Sequence, residues 1–177
     1  MASFQDRIIR AAKLDPNLYE EVEADTGAMT QAIGIVLLSS IAAGIGSIRE
    51  MGASGILIGT LAALVAWIVW AYLTYIIGTK VLPEPQTKAN VGELLRTIGF
   101  SSSPGLLRVL GIIPGIGGII FFAISIWMLV AMVIAVRQAL DYSSTWRAIG
   151  VCLIGWIFQA LILGALFYAM GGPPKVE

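Results

Sequence analysis

Four long stretches of this chain contain no charged residue, and they constrain its fold more than any other feature. They cover residues 29–48, 51–79, 109–136 and 148–174. The hydrocarbon core of a bilayer, about 30 Å thick, is crossed by about 20 helical residues. Only 12% of the residues are charged and 58% are hydrophobic, whereas soluble domains carry about 25% charged residues. We therefore predict a transmembrane helix in each stretch.

A shorter stretch, residues 94–113, admits two interpretations. Arg96 and Arg108 bracket 11 uncharged residues, which Gly99 and the segment 101–105 interrupt. Arginines near helix ends can extend to the headgroups, so the stretch can cross as a short fifth helix; it can instead form a re-entrant hairpin. If it crosses, lysines and arginines divide about eight to three in favour of the side that holds the N-terminus. This bias favours five spans, with a cytoplasmic N-terminus and an external C-terminus.

The predicted fold is all-α: a polytopic membrane protein whose five-helix transmembrane bundle has a kinked or broken third span. We expect residues 1–28 to form a cytoplasmic helical arm, residues 29–172 the transmembrane domain and residues 173–177 a short tail. The predicted spans cover about 29–48, 55–78, 94–112, 116–139 and 147–170.

The arm contains a predicted amphipathic helix over residues 2–13. Phe4 and Ile8 recur at helical spacing, while Arg7, Arg10 and Lys13 lie on other faces. One interpretation is a helix lying in the cytoplasmic headgroup layer, with its three cations facing anionic lipid. The other is a helix packed on the cytoplasmic end of the bundle. Asp15-Pro16 predicts the start of a second short helix, because aspartate caps helices and proline suits their first turn.

The composition argues against most enzymes and against nucleic-acid binding. The chain has no histidine and one cysteine, Cys152, so the commonest general base and zinc ligand is missing. Eleven basic and eleven acidic residues cancel, which leaves no basic field for DNA or RNA. We predict no catalytic, cofactor-binding or metal-binding residues. We interpret the charges at the cytoplasmic rim as ion pairs and helix-end charges: Glu93, Arg96, Arg137 and Asp141.

Two stripes of small residues are predicted to mediate helix packing. Each repeats at i, i+4 and i+8, which places its members on one helix face. Small side chains let helix backbones approach closely in lipid. Packing within the bundle is the favoured interpretation, and homo-oligomerisation is the alternative. The stripes are Gly55, Gly59 and Ala63 in the second span, and Ala131, Ala135 and Ala139 in the fourth.

A Gly-Phe-x-x-x-Pro element marks the third span. Pro104 cannot donate to the carbonyl four residues earlier, and Gly99 loosens the backbone nearby. The serines between them can donate hydrogen bonds to the carbonyls that are left free. The element therefore predicts a kink, with two interpretations: a close-packing bend, or a hinge or polar pocket at the bundle centre.

The same element resembles a motif of the Yip domain family, small five-span membrane proteins whose eukaryotic members interact with Rab (Ypt) GTPases. Gly99, Phe100 and Pro104 match the glycine, aromatic and proline at the start of that family's third span. The segments 14–25 and 135–140 are similar to prokaryotic members. The resemblance implies a short, prokaryotic-like member in a cell membrane. Before the first span, however, the chain departs from the Asp-Leu-x-Gly-Pro motif of eukaryotic members.

The function implied is that of an integral membrane scaffold or adaptor without catalysis. Such a protein organises or shapes the bilayer and recruits partners through its cytoplasmic arm and loops. The expected partners are the lipid bilayer, other membrane or cytoplasmic proteins and, through the small-residue stripes, a second copy of the chain. Two alternatives are an accessory subunit of a larger membrane complex and a small transporter or channel.

Overall fold

The computed structural model describes residues 2–169, with the side chains of residues 50, 51, 163, 164 and 166–169 excepted. All regular elements in this part of the chain are helical, as the sequence predicts. The α-helices are α1 (Phe4–Ala12), α2 (Pro16–Ala24), α3 (Ala28–Gly46), α4 (Ile48–Ile76), α5 (Val91–Ser101), α6 (Gly117–Ala139) and α7 (Thr145–Ala169). A π turn (Ile77–Val81) extends α4, and a 3-10 helix (Ser103–Ile112) follows α5.

Four helices are long and apolar enough to cross a membrane: Ala28–Gly46, Gly52–Val81, Gly117–Ala139 and Thr145–Ile162. They correspond to the four uncharged stretches, so the chain is compatible with a multi-pass membrane protein. Their outer faces carry large apolar side chains that are more than half exposed, including Leu57, Ile58, Ile119 and Phe122. The predicted tail and residue 170 of the last predicted span lie outside the described residues.

A short connection makes α3 and α4 antiparallel neighbours. Ser47 caps α3, and its backbone N–H donates to the carbonyl of Ala43. Gly52 then adopts φ 67° and ψ 176° inside α4, a conformation that only glycine adopts readily. The long regular part of α4 therefore begins after Gly52, about three residues before the start predicted at residue 55.

The third segment, which we define as residues 91–112, changes helix type in its middle. Its α5 ends at Ser101, and the 3-10 helix that begins at Ser103 contains Pro104 in its first turn. The missing N–H of Pro104 would leave the Phe100 carbonyl without its α-helical donor. The Ser103 hydroxyl donates to that carbonyl at 2.7 Å. This serine therefore satisfies the backbone group that the proline leaves free.

The third segment packs against α3 almost without intervening side chains. A Cβ atom placed on Gly99 would lie 2.8 Å from that of Ala32, and one on Gly105 would lie 2.0 Å from the Ser39 Oγ. A Cβ on Gly46 would lie 2.1 Å from the Arg108 carbonyl oxygen. Each of these distances is shorter than van der Waals contact. A side chain at Gly46 or Gly99 would meet atoms that cannot rotate away, and one at Gly105 would displace the Ser39 hydroxyl.

The order of these contacts shows that α3 and the third segment run parallel. The contacts progress from Ala32 to Gly46 along α3 and from Gly99 to Gly111 along the third segment. The part of α3 concerned rises about 21 Å at 1.5 Å per residue. A ten-residue 3-10 helix rises about 20 Å, against about 15 Å for an α-helix of that length. The 3-10 geometry thus lets the short third segment reach the level at which α3 ends.

The two predicted small-residue stripes have different surroundings. Ala131, Ala135 and Ala139 of α6 are fully buried, and α6 contacts α2, α5 and α7. Gly59 of α4 is half-buried, and a Cβ placed on it would meet nothing within 4 Å. The close contacts of Gly46, Gly99 and Gly105 join α3 and the third segment, and neither stripe includes these residues.

We predict that Gly46→Ala destabilises the bundle by about 1–3 kcal/mol, because the added methyl group meets backbone that cannot rotate away. Gly59→Ala is the matched control. There the methyl group enters open space, and replacing a helical glycine stabilises a protein by about 0.4–1 kcal/mol. Thermal unfolding of both variants in the same detergent measures the difference. Equal melting temperatures for the two variants would contradict this packing.

Candidate functional site at the arm end of the bundle

A buried arginine holds the arm, residues 2–24, together. Arg7 is 3% exposed on α1. Its Nη2 lies 2.8 Å from Asp25 Oδ2, its Nε donates to Glu21 Oε1 at 2.9 Å, and its Nη1 donates to Gln31 Oε1 at 3.0 Å. These contacts join α1 to α2 and to the first turn of α3.

The ion pairs of the arm stabilise the charged forms of its acids. Hydrogen bonds from Arg10 and Arg7 hold the pKa of the Glu21 carboxyl below its ordinary value. The Arg7 guanidinium lowers the pKa of Asp25 in the same way. Removing Arg7 would leave Asp25 without its described ion-pair partner, while Glu21 would keep its pair with Arg10. The arm is therefore held by charge as well as by apolar contact.

The other predicted arm residues lie on or between the helices of the bundle. Phe4 and Ile8 are partly buried against the core, and the Phe4 ring approaches Gly34 of α3. Arg10 pairs with Asp15 at 2.8 Å and with Glu21 at 2.5 Å. Lys13 is exposed. Two of the three arm cations therefore face acidic side chains of the arm itself.

The end of α1 also contacts α6 directly. The indole Nε1 of Trp127 donates to the Ala12 carbonyl at 2.8 Å. Trp127 lies 12 residues before the end of α6 at Ala139, a rise of about 18 Å. The arm thus extends along the bundle instead of resting only on its end.

The side chain of Arg96 holds the C-terminal end of α2, the second helix of the arm. It is 6% exposed on α5. Its Nε donates to the Val22 carbonyl at 2.8 Å, and its Nη2 donates to the Glu23 carbonyl. A basic side chain commonly satisfies the last carbonyls of a helix in this way. Of the two interpretations given for the rim charges, ion pair or helix-end charge, Arg96 fits the second, because its described bonds are to backbone carbonyls at the end of α2.

The other rim charges are also largely helix-end groups. Asn90 and Glu93 form a reciprocal capping box at the start of α5. Arg137 donates to the Tyr142 carbonyl at 3.2 Å, and Asp141 takes a left-handed conformation with φ 52° just after α6. Among the described residues, no ion pair joins Arg137 to Asp141. The helix-end part of the prediction is confirmed for Glu93.

A half-buried carboxylate lies where α2 meets α5 and α6. The pKa of Glu23 is raised to about 8, chiefly by burial and also by the negative charges of Glu20, Asp141 and Glu93, against a lowering effect of Arg96. Its Oε2 is buried and has no hydrogen-bond partner in the described part of the chain. Glu23 is therefore protonated at neutral pH more often than an ordinary glutamate.

A polar concavity of about 550 Å³ opens beside this carboxylate, and we call it the rim cleft. Gln138 Nε2 donates to Glu20 Oε1 at 2.7 Å, and Gln86 Nε2 donates to the Asp141 carbonyl at 3.0 Å. The rim cleft is built by three parts of the chain: the arm, the loop before α5, and the end of α6 with the turn that follows it. Its lining residues are Glu20, Gln86, Arg137, Gln138, Asp141 and Tyr142.

The loop before α5 is tied to the turn after α6. Glu84 accepts from the backbone N–H and the hydroxyl of Ser143 at 3.0 and 2.8 Å, and pairs with Arg147 at 3.1 Å. These hydrogen bonds hold the pKa of the Glu84 carboxyl below its ordinary value. The Tyr142 hydroxyl donates to the Leu82 carbonyl at 2.7 Å. The walls of the rim cleft are therefore fixed by contacts between distant segments.

Sequence reasoning missed Arg7 as a buried residue, as well as Glu23 and the rim cleft. One pattern is compatible with a cation at the position of Arg7: Glu21 lies in the last turns of α2 and Asp25 directly follows this helix, so two acids lie close together in the sequence. No local pattern marks the rim cleft, because its residues come from segments up to 122 positions apart.

Comparison of the chain with protein-family models, curated proteins and solved structures found no match.

We predict that docking of the arm weakens as the pH rises through about 8. The folded-state pKa of Glu23 lies above its ordinary value of 4.5, so its contribution is fully present below about pH 4.5 and is lost as the pH rises through about 8. The lowered pKa values of Asp15, Glu21 and Asp25 act oppositely, because their contribution is lost only in acid. Amide hydrogen exchange of the arm at pH 6 and pH 9, corrected for intrinsic rates, measures the change.

Glu23→Gln should make arm protection nearly independent of pH in that window, because the amide cannot ionise. Asp6→Asn, which changes an exposed arm carboxylate, should keep the wild-type dependence. An unchanged pH dependence in Glu23→Gln would show that another group is responsible.

Proposed function

We propose that this chain is an integral membrane scaffold or adaptor of the Yip type. In this proposal it crosses the membrane five times, with the arm in the cytoplasm and the C-terminus outside. A partner protein binds at the rim cleft. The resemblance around Gly99, Phe100 and Pro104 supports the family, and the two alternatives, an accessory subunit or a small transporter, have less support from the geometry.

The parallel packing of α3 and the third segment supports a fifth crossing. Gly111 lies beside Gly46, so the third segment extends as far from the arm end as α3 does. A re-entrant hairpin would return to the arm end before residue 112. The change from α-helix to 3-10 helix near Pro104 supports a bend within this span.

The rim cleft is the observation that carries the adaptor proposal. It has a volume of about 550 Å³, and its lining is mainly polar and charged. The arm contributes Glu20, so the cleft has its full shape only when the arm is docked. The glycine-mediated contacts of α3 leave little room at that interface for a wide aqueous pathway. A polar cleft formed by several segments at the arm end of the bundle supports a role in binding a partner protein.

Three variants, Pro114→Cys, Lys88→Cys and Thr145→Cys, are treated with a membrane-impermeant thiol reagent on intact cells. We predict that only Pro114→Cys reacts. All three positions are exposed, and the variants are made in a Cys152→Ala background. Five crossings place only residue 114 outside. Labelling of Thr145→Cys with protection of Pro114→Cys would instead indicate a re-entrant third segment.

The adaptor proposal is tested by a photoreactive side chain at Gln86, which captures whatever occupies the rim cleft in living cells. The captured protein, once identified, is purified and titrated against the full chain. We predict that Glu20→Gln with Asp141→Asn weakens this binding about tenfold, because two charges of the cleft are lost while its shape is kept.

Asp6→Asn is the matched control, because it removes an exposed acid of the same arm that does not line the cleft. It should bind the partner as the wild type does. Crosslinking to lipid alone, or equal binding by the cleft variant and the control, would refute the adaptor proposal.

A further inference from the structure

A second cleft, of about 270 Å³, lies inside the bundle, and we call it the inner cleft. It is bounded by α3, α4, the third segment, α6 and α7. The apolar side chains Trp67 and Trp70 line it toward the arm end. Arg108 and Gln159 line it toward the opposite end, since both follow the other lining residues of their own segments in the direction away from the arm. The inner cleft is therefore charged at one end and aromatic at the other.

Arg108 has few of the partners that a buried guanidinium requires. It is half-buried, and its Nη2 donates to Ser125 Oγ at 3.0 Å. Its guanidinium carbon lies 5.7 Å from the centre of the Phe121 ring. The Nε is buried and has no hydrogen-bond partner in the described residues, and no described carboxylate pairs with Arg108.

The contrast with Arg7 and Arg96 shows that this arrangement is unusual for the protein. Arg7 has two carboxylates and Arg96 has two backbone carbonyls. Arginine offers five N–H donors, and an arginine at membrane depth normally pairs with an acid or a carbonyl. Trp70, which is 5% exposed and lines the same cleft, also has an indole Nε1 without a partner in the described residues. Buried donors of this kind require an acceptor.

We propose that the inner cleft binds an anionic amphiphile, whose phosphate or carboxylate accepts hydrogen bonds from Arg108 and whose chain runs along the cleft toward Trp67 and Trp70. The guanidinium fork matches the oxygens of either anion. The proposal does not depend on the rim cleft or on any protein partner.

The shape of the inner cleft favours an amphiphile over a free anion. Its lining extends from Ile98 to Arg108 on the third segment, which is at least about 15 Å along the axis. The volume equals that of about nine water molecules, so it admits a headgroup and the first carbons of a chain. A small inorganic anion would leave the aromatic end unfilled.

The test uses the full chain in a nonionic detergent, titrated with phosphatidylglycerol that carries bromine atoms on its chain. Bromine quenches tryptophan emission at close range, and Trp67, Trp70 and Trp156 line the cleft. Brominated phosphatidylcholine tests the need for net charge, oleate tests a carboxylate headgroup, and inorganic phosphate tests a soluble anion as competitor. We expect saturable binding of phosphatidylglycerol or oleate at least about tenfold tighter than that of phosphatidylcholine.

Arg108→Gln should weaken this binding about tenfold, and Arg108→Lys should weaken it less because the charge remains. Arg49→Gln is the matched control: Arg49 is exposed and belongs to the same end of the bundle, and this variant should bind as the wild type does. Melting temperatures of all variants, without added lipid, check that each is folded.

Three outcomes would overturn the proposal. The first is equal affinity of the wild-type chain for phosphatidylglycerol, oleate and phosphatidylcholine. The second is full displacement of the lipid by inorganic phosphate, which would indicate a site for a soluble anion. The third is unchanged binding by a folded Arg108→Gln variant. Since the first two need only the wild-type chain, the proposal stays testable even if the variant does not fold.

Discussion

The contact between α3 and the third segment is the constraint on which the rest of the structure depends. Because Gly46, Gly99 and Gly105 have no side chains, the two backbones approach more closely than any other residue would permit. This contact keeps the short third segment alongside α3 over its full length. It thereby places Arg96 next to the arm, at one end of the bundle, and Arg108 at the opposite end. Two arginines only 12 residues apart consequently serve different ends of the molecule.

The two ends of the bundle differ in how their charges are satisfied. At the arm end, guanidinium groups meet carboxylates and backbone carbonyls, and three other acids lie near Glu23. At the other end, Arg108 has one hydroxyl and one aromatic ring. A buried donor without an acceptor costs free energy, and the Nε of Arg108 is such a donor among the described residues. The distribution of charge thus favours protein recognition at the arm end and an anionic ligand near Arg108.

Sequence reasoning could predict the helices well, because runs of about 20 uncharged residues have a single physical explanation in lipid. Prediction was weaker for the third segment, whose 11 uncharged residues are too few for an ordinary α-helical span. The rise per residue of a 3-10 helix exceeds that of an α-helix by about 0.5 Å, so the same residues extend further. Apart from Pro104, no sequence pattern indicated this helix type. The Ser103 hydroxyl, which donates to Phe100, was foreseen as a compensating donor because proline removes that bond.

The sequence by itself determined the all-helical fold, the four helices that are long and apolar enough to cross a membrane and the start of α2 at Asp15-Pro16, because these depend on local composition, capping and the cost of burying charge. Only the tertiary structure decided which charges meet. Arg7 lies on an amphipathic helix whose sequence is compatible with a lipid surface, yet it contacts Glu21, Asp25 and Gln31 of later helices. Such contacts join residues that are distant in the chain, and they form only when packing brings the helices together. The rim cleft and the inner cleft both arise in this way.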